Sequence, residues 1–242
     1  MTGLLDQALQ AHGGLRRWHE TTRLTAHARI AGELWGRRGQ PDALTAAHIQ
    51  MDPHAQHVIF HRYKAPGQRA VFEARRAAIE AEDGQVITER ADPASAFFGQ
   101  TTTSAWDDLT LAYSAGFDLW HYLAGPFVLT WPGVQIEEIE PWEEAGEQWR
   151  RLTATFPEEL VAHAREQTYA FNNAGLLRRF EYAPERAGVP ANVNYTAGHH
   201  RFGALVIATR RRMVPLDPDG RSRRDPVLMA VDLLDVRAET RP

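Results

Sequence analysis

Residues 104–131, SAWDDLTLAYSAGFDLWHYLAGPFVLTW, form the one long helix-like run in a chain that otherwise reads as short strands and turns. Leu109, Tyr113, Phe117, Trp120 and Ala124 recur at helical spacing on one face. Leu111, Ala115, Leu119 and Tyr122 make a second apolar stripe beside it. Only a narrow polar stripe remains, Asp107, Thr110, Ser114, Asp118 and His121. An apolar arc this broad predicts a helix buried over most of its surface. Ser104 and Asp107 supply an N-terminal cap and an acidic first turn. Ser114-Ala115-Gly116 offers a place to bend or split the helix, Gly125-Pro126 breaks it, and Trp131-Pro132-Gly133 ends the element.

The remaining segments alternate in polarity with a period near two, which is the signature of half-buried strands. Before the helical run come strand candidates at 22–36, 44–52, 55–63, 68–74, 76–82 and 86–90. After it, hairpins are expected about Ala145-Gly146, Asn172-Asn173-Ala174-Gly175 and Gly203-Ala204, and VLMAVDLLDV supplies a last strand. In the first strand Leu24, Ala26, Ala28 and Ile30 face one way. Residues 4–12 have helical spacing and Gly13-Gly14 stops that helix. Short hairpin loops throughout imply an antiparallel meander of about ten or eleven strands. Residues 91–104 read as a connecting loop, and the loops at 184–190 and 216–225 invite insertion or cleavage.

A sheet of that many strands must curl, and its inner face needs a cover. The expected fold class is therefore mainly β with helices (α+β). A curved antiparallel half-barrel carries an N-terminal helix and a central helical lid over its concave face. One domain spans residues 1–242, since all-β folds of this length are commonly single. Seven Trp and ten Phe suffice for a substantial core. A formal net charge of −4 gives no general signal for nucleic acid, so no such partner is expected. With no cysteine, disulfides, thiolate nucleophiles and Cys-metal sites are excluded. MTGLLDQALQ has no basic stretch ahead of an apolar core, and no run is long and apolar enough to span a bilayer. A cytoplasmic location is expected on these grounds.

The order of elements over nearly the whole chain resembles the bacterial lipoprotein-carrier superfamily of LolA and LolB. There, a half-barrel of antiparallel strands is plugged by an N-terminal helix and helices inserted mid-chain. The segments AHGGLRRW (11–18), EPWEEAGEQWRRL (140–152) and REQTYAFNNAGLLRR (165–179) also resemble a bacterial family of unassigned function. The resemblance implies an apolar cavity, which in the carriers binds acyl chains. Fold by itself does not transfer that function, and the absent export signal departs from the carriers' pattern.

No glycine-rich phosphate loop, G-x-S-x-G or H-E-x-x-H motif is present. His57 and His61 share a strand face without a third ligand at readable spacing, so neither a metal nor any other cofactor is assigned. Asp118 and His121 stand one turn apart and have the composition of a base and its orienter, but the narrow polar stripe argues for solvent exposure. The acidic run from Glu137 to Glu147 splits between two faces. Arg210-Arg211-Arg212 with Arg221, Arg223 and Arg224 offers either a dock for an anionic headgroup or partner or, as the preferred reading, edge-strand charge that blocks aggregation. Strand alternation places Val193, Tyr195, Ala197 and His199 in one row, and Tyr169 in a row with Phe171.

The expected site lies between lid and sheet, walled by Tyr113, Phe117, Trp120, Tyr169, Tyr195 and His199. Tyr and Trp suit such a wall because each offers a broad apolar face and one polar handle. His199 is the titratable group available as an anchor or base. The expected function is binding of a hydrophobic small molecule, lipid or acyl chain. The alternative is an enzyme acting on an apolar substrate with a buried His/Asp acid–base group. A third reading, an interaction scaffold, requires an exposed apolar patch. Neither catalytic residues nor an oligomeric state follows from the sequence.

Overall fold

The computed structural model describes residues 3–184 and 191–241. The chain opens with α1 (Gly3–Ala11) and α2 (Leu15–Glu20), separated at Gly13-Gly14 as expected. It then forms β1 (Thr21–Ala31), a short α3 (Glu33–Arg37), and β2 to β6 (Ala47–Asp52, His57–His61, Gln68–Glu73, Arg76–Ala81 and Val86–Ala91). A 3-10 turn over Pro93–Phe97 leads into α4 (Asp108–Ala124). A second 3-10 turn, Phe127–Thr130, leads out of it. Seven strands follow: β7 to β13 (Gln135–Glu144, Glu147–Thr155, Glu166–Phe171, Leu177–Tyr182, Asn192–Phe202, Leu205–Pro215 and Met229–Thr240).

The thirteen strands of the described residues belong to one sheet, in the order β6-β5-β4-β3-β2-β1-β13-β12-β11-β10-β9-β8-β7, and every pair is antiparallel. The count exceeds the expected ten or eleven, although the segments named one by one in the sequence already number thirteen. The first half winds outward from β1 and the second winds inward to β13. Pairing of β1 with β13 along nearly their whole length, from Thr21↔Thr240 to Ala31↔Ala230, joins the halves. The open edges are β6 and β7. The β7 edge is protected by glutamates and by a register break between Ile139 and Trp142, around Pro141.

The first strand is shorter than expected. Leu24, Ala26, Ala28 and Ile30 are buried in one row as predicted, but the strand stops at Ala31 and residues 33–37 turn into α3. Trp35 of α3 packs edge-on to Trp106, 6.1 Å between rings.

α4 is one continuous helix. The split anticipated at Ser114-Ala115-Gly116 does not occur. Gly116 instead lets the helix backbone settle on β4, where a built Cβ would fall 2.2 Å from Phe72 Cβ. Asp107 is the N-cap, accepting from the Thr110 N–H, and Arg90 clasps its carboxylate. Every residue from Leu109 to Ala124 is buried, the polar stripe included. The sequence led us to expect exposure of Asp118 and His121. That expectation is overturned, because the segment 156–165 lies over the polar stripe.

Candidate functional site

The face of the sheet that carries α4 is closed by the segment from Phe156 to Arg165, between β8 and β9. Gln56, in the β2–β3 turn, holds this strap twice: its amide donates to the Val161 carbonyl and accepts from the Val161 N–H, both at 2.8 Å. His121 donates from Nε2 to the same carbonyl at 2.8 Å. Burial first, with a contribution from neighbouring His163, lowers the His121 pKa to about 3, so its ring is neutral.

The strap delivers His163. Its ring stacks on Tyr182 at 4.2 Å and meets Phe117 edge-on at 4.8 Å. His163 Nε2 lies 2.9 Å from Asp118 Oδ1, within ion-pair distance although off the line of a hydrogen bond. Both side chains are almost fully buried. Beyond Tyr182 an aromatic ladder continues through Phe180 to Tyr169.

Phe117 and His163 stand between two cavities. On one side is a cleft of about 880 Å³ bordered by Phe97, Tyr113, Phe156, Leu160 and Val161. On the other is a cavity of about 140 Å³ among Ser114, Asp118, Tyr182, Asn192, Met213 and Leu228, with α3 closing it through Leu34 and Arg37. The first is a mixed trough that also carries Gln100, Glu158 and Arg165, and the second is a small chamber, the more apolar of the two.

Of the residues expected at the site, Tyr113 and Phe117 border the large cleft. Trp120 is fully buried in packing, donates its indole N–H to the Asp52 carbonyl at 2.9 Å, and borders neither cavity. Tyr169 is buried with its hydroxyl on Gln167, at the far end of the aromatic ladder. Tyr195 is on the opposite face of the sheet. Its hydroxyl binds Glu144 at 2.5 Å and Ser222 at 2.9 Å, beside Arg179, which donates to Gly220. The 216–225 loop thus folds back over that outer face rather than standing free.

Tyr195 and His199 do not share a site, because the strand alternation breaks between them. Gly198 has φ +63°, and the β11–β12 ladder omits the pair it would make with Thr209. His199 packs against His12, just past the end of α1, 5.7 Å between rings. Burial first, then His12 and Arg211, lowers its pKa to about 4.

His163 escaped the sequence reading. It lies in PEELVAHARE, a stretch with neither helical nor strand periodicity, so no alternation indicates its direction. Arg211 was misread. β12 is an interior strand, and Arg211 points from it to α4, donating to the Tyr122 carbonyl, while Arg212 pairs with Asp232. No group of three or more metal-ligating side chains occurs among the described residues.

No protein-family model and no curated protein sequence matches the chain. Solved structures do. A LolA superfamily protein from Nitrosomonas europaea superposes over 99% of this chain and 93% of its own, with a TM-score of 0.53 and 12% identity. The chain has the LolA-superfamily fold. A DUF1329 family protein from Desulfovibrio piger gives a TM-score of 0.54 at 10% identity, over 98% of this chain and 92% of its own. An outer membrane lipoprotein-sorting protein domain from Vibrio parahaemolyticus gives 0.53 at 9%, over 98% of this chain and 91% of its own. At such identities the likeness is one of fold. Within this LolA-like frame the two cavities lie where α4 and the strap face each other across the sheet.

Proposed function

We propose that the protein binds a hydrophobic small molecule or lipid chain in the cleft between α4 and the strap. One observation carries this reading. The 880 Å³ trough combines aromatic and aliphatic side chains with polar groups at Gln100, Glu158 and Arg165, and shares Phe117 and His163 with a smaller, more apolar chamber. Such a layout suits a ligand with a long apolar body and one polar end. The LolA-like fold agrees with it. Tyr113 and Phe117 are the wall residues named by sequence and cleft together.

The test is a fluorescence titration with the uncharged probe N-phenyl-1-naphthylamine. Saturable micromolar binding is expected in the wild type. Val161→Trp, which fills the cleft from the strap, should abolish it while leaving the far-ultraviolet dichroism unchanged. Absence of saturable binding, or equal binding by the variant, would sink the proposal.

A second reading rests on the Asp118–His163 pair at the cavity wall, which has the composition of an acid–base dyad. It predicts turnover of apolar ester substrates that His163→Gln abolishes. A binding protein turns over none.

A further inference from the structure

Arg211 is a cation buried without a counter-charge. The residue is 4% exposed, and among the described residues no carboxylate lies within ion-pair distance of it. Its Nη2 donates to the Tyr122 main-chain carbonyl, its guanidinium lies 4.9 Å from the Tyr122 ring centroid, and its Nη1 has no partner. A main-chain carbonyl and a ring face offset only part of the cost of burying a full charge. Burial lowers its pKa only to about 10, so the side chain remains cationic at neutral pH.

The surroundings are short of partners too. Asn194, fully buried, is the diagonal neighbour of Arg211 across the β11–β12 ladder, and neither end of its amide is satisfied. The Tyr122 hydroxyl lies against the Asn194 amide, but no hydrogen bond of good geometry forms between them. His12 and His199, the nearby titratable rings, have pKa values lowered to about 4, first by burial and further by Arg211, and bring no charge at neutral pH. Asp118, the acidic group facing the Tyr122 side, lies 2.9 Å from His163 Nε2 and forms no ion pair with Arg211. Native interiors rarely leave so many polar groups unmet in one place. The cluster also adjoins a cavity. Met213 follows Arg211 on the same strand face and Asn192 precedes Asn194 on its own, and both border the 140 Å³ chamber. Two residues along a strand is about 7 Å.

We propose that the ligand is a long-chain carboxylate whose ionised head enters from the small chamber and pairs with Arg211, with Asn194 and the Tyr122 hydroxyl as further donors. This deepens the binding function proposed above and rests on it. A carboxylate supplies the single negative charge the guanidinium lacks and accepts from the neutral donors around it. The apolar chain then runs past Phe117 into the trough.

The experiment compares palmitate with hexadecanol, which has the same chain and no charge, by displacement of N-phenyl-1-naphthylamine. In the wild type palmitate should bind at least about tenfold more tightly, the order expected of a charge-assisted pair. Arg211→Met and Arg211→Gln, made in parallel, should bring palmitate to the level of hexadecanol and leave hexadecanol unchanged. Equal affinities in the wild type, or a palmitate preference that survives both substitutions, would overturn the carboxylate assignment while leaving the cleft as a binding site. Failure of both ligands to displace the probe would overturn it as well. Failure of the probe itself to bind would remove the proposed function.

Discussion

Gly116 and Phe72 touch in a way that leaves no room for a methyl group. A Cβ at Gly116 would lie 2.2 Å from Phe72 Cβ and 2.4 Å from Phe72 Cγ. Alanine is the better helix former by about 1 kcal/mol, so propensity alone predicts that Gly116→Ala stabilises α4. Contact predicts the reverse, because the obstacle is the root of a buried ring that cannot swing aside. Overpacking of this kind costs about 1–3 kcal/mol and here exceeds the propensity gain. Urea denaturation should show a lower midpoint for Gly116→Ala. A neutral or raised midpoint would mean that α4 does not sit this close to β4.

Trp120→Ala should be among the most damaging single substitutions, at about 3–5 kcal/mol. The indole is fully buried, donates to Asp52, and packs edge-on to Trp131 at 5.3 Å. Since Trp120 borders neither cavity, loss of ligand binding should follow only from loss of fold. Retention of stability with selective loss of binding would return Trp120 to the cavity wall.

Tyr195→Phe separates the two faces of the sheet. It removes the hydroxyl that joins Glu144 and Ser222, at a cost of about 1–2 kcal/mol. Probe affinity should not change, because the bond lies on the far side of the sheet from the cleft. A change in affinity measured in the same titration would contradict that placement.

Stability should fall in mild acid, starting near the ordinary histidine range. The His121 pKa is lowered from 6.5 to about 3, so between these values the unfolded chain binds a proton that the folded one refuses. Stability is therefore complete above about pH 6.5 and declines as pH falls toward 3, by up to about 1.4 kcal/mol per pH unit for this residue. His12 and His199 act in the same direction. Unfolding free energies measured from pH 7 to 4 should decline less steeply in His121→Gln. An unchanged slope would show that His121 is not buried in its neutral form.

Two kinds of information separate in this protein. The sequence by itself determined the element order, the hairpin positions, the N-terminal helix with its Gly13-Gly14 stop and the burial of the long aromatic helix. Each rests on local chemistry: a period of two or 3.6, a glycine able to turn, a proline unable to continue. That reasoning also drew Tyr113 and Phe117 into the candidate site, since a broad apolar helix face must meet the sheet. Tertiary structure decided the rest. His163 reaches Asp118 and Phe117 only because Gln56, more than a hundred residues away, pins the strap to the β2–β3 turn. The polar stripe of α4 is buried because that strap covers it. Arg211 lies on an interior strand because β12 pairs with both β11 and β13, and its side chain turns to the face that carries α4. Tyr195 and His199 part company because one glycine leaves the extended conformation. These are long-range contacts and a single-residue break in alternation, and neither leaves a periodic trace along the chain.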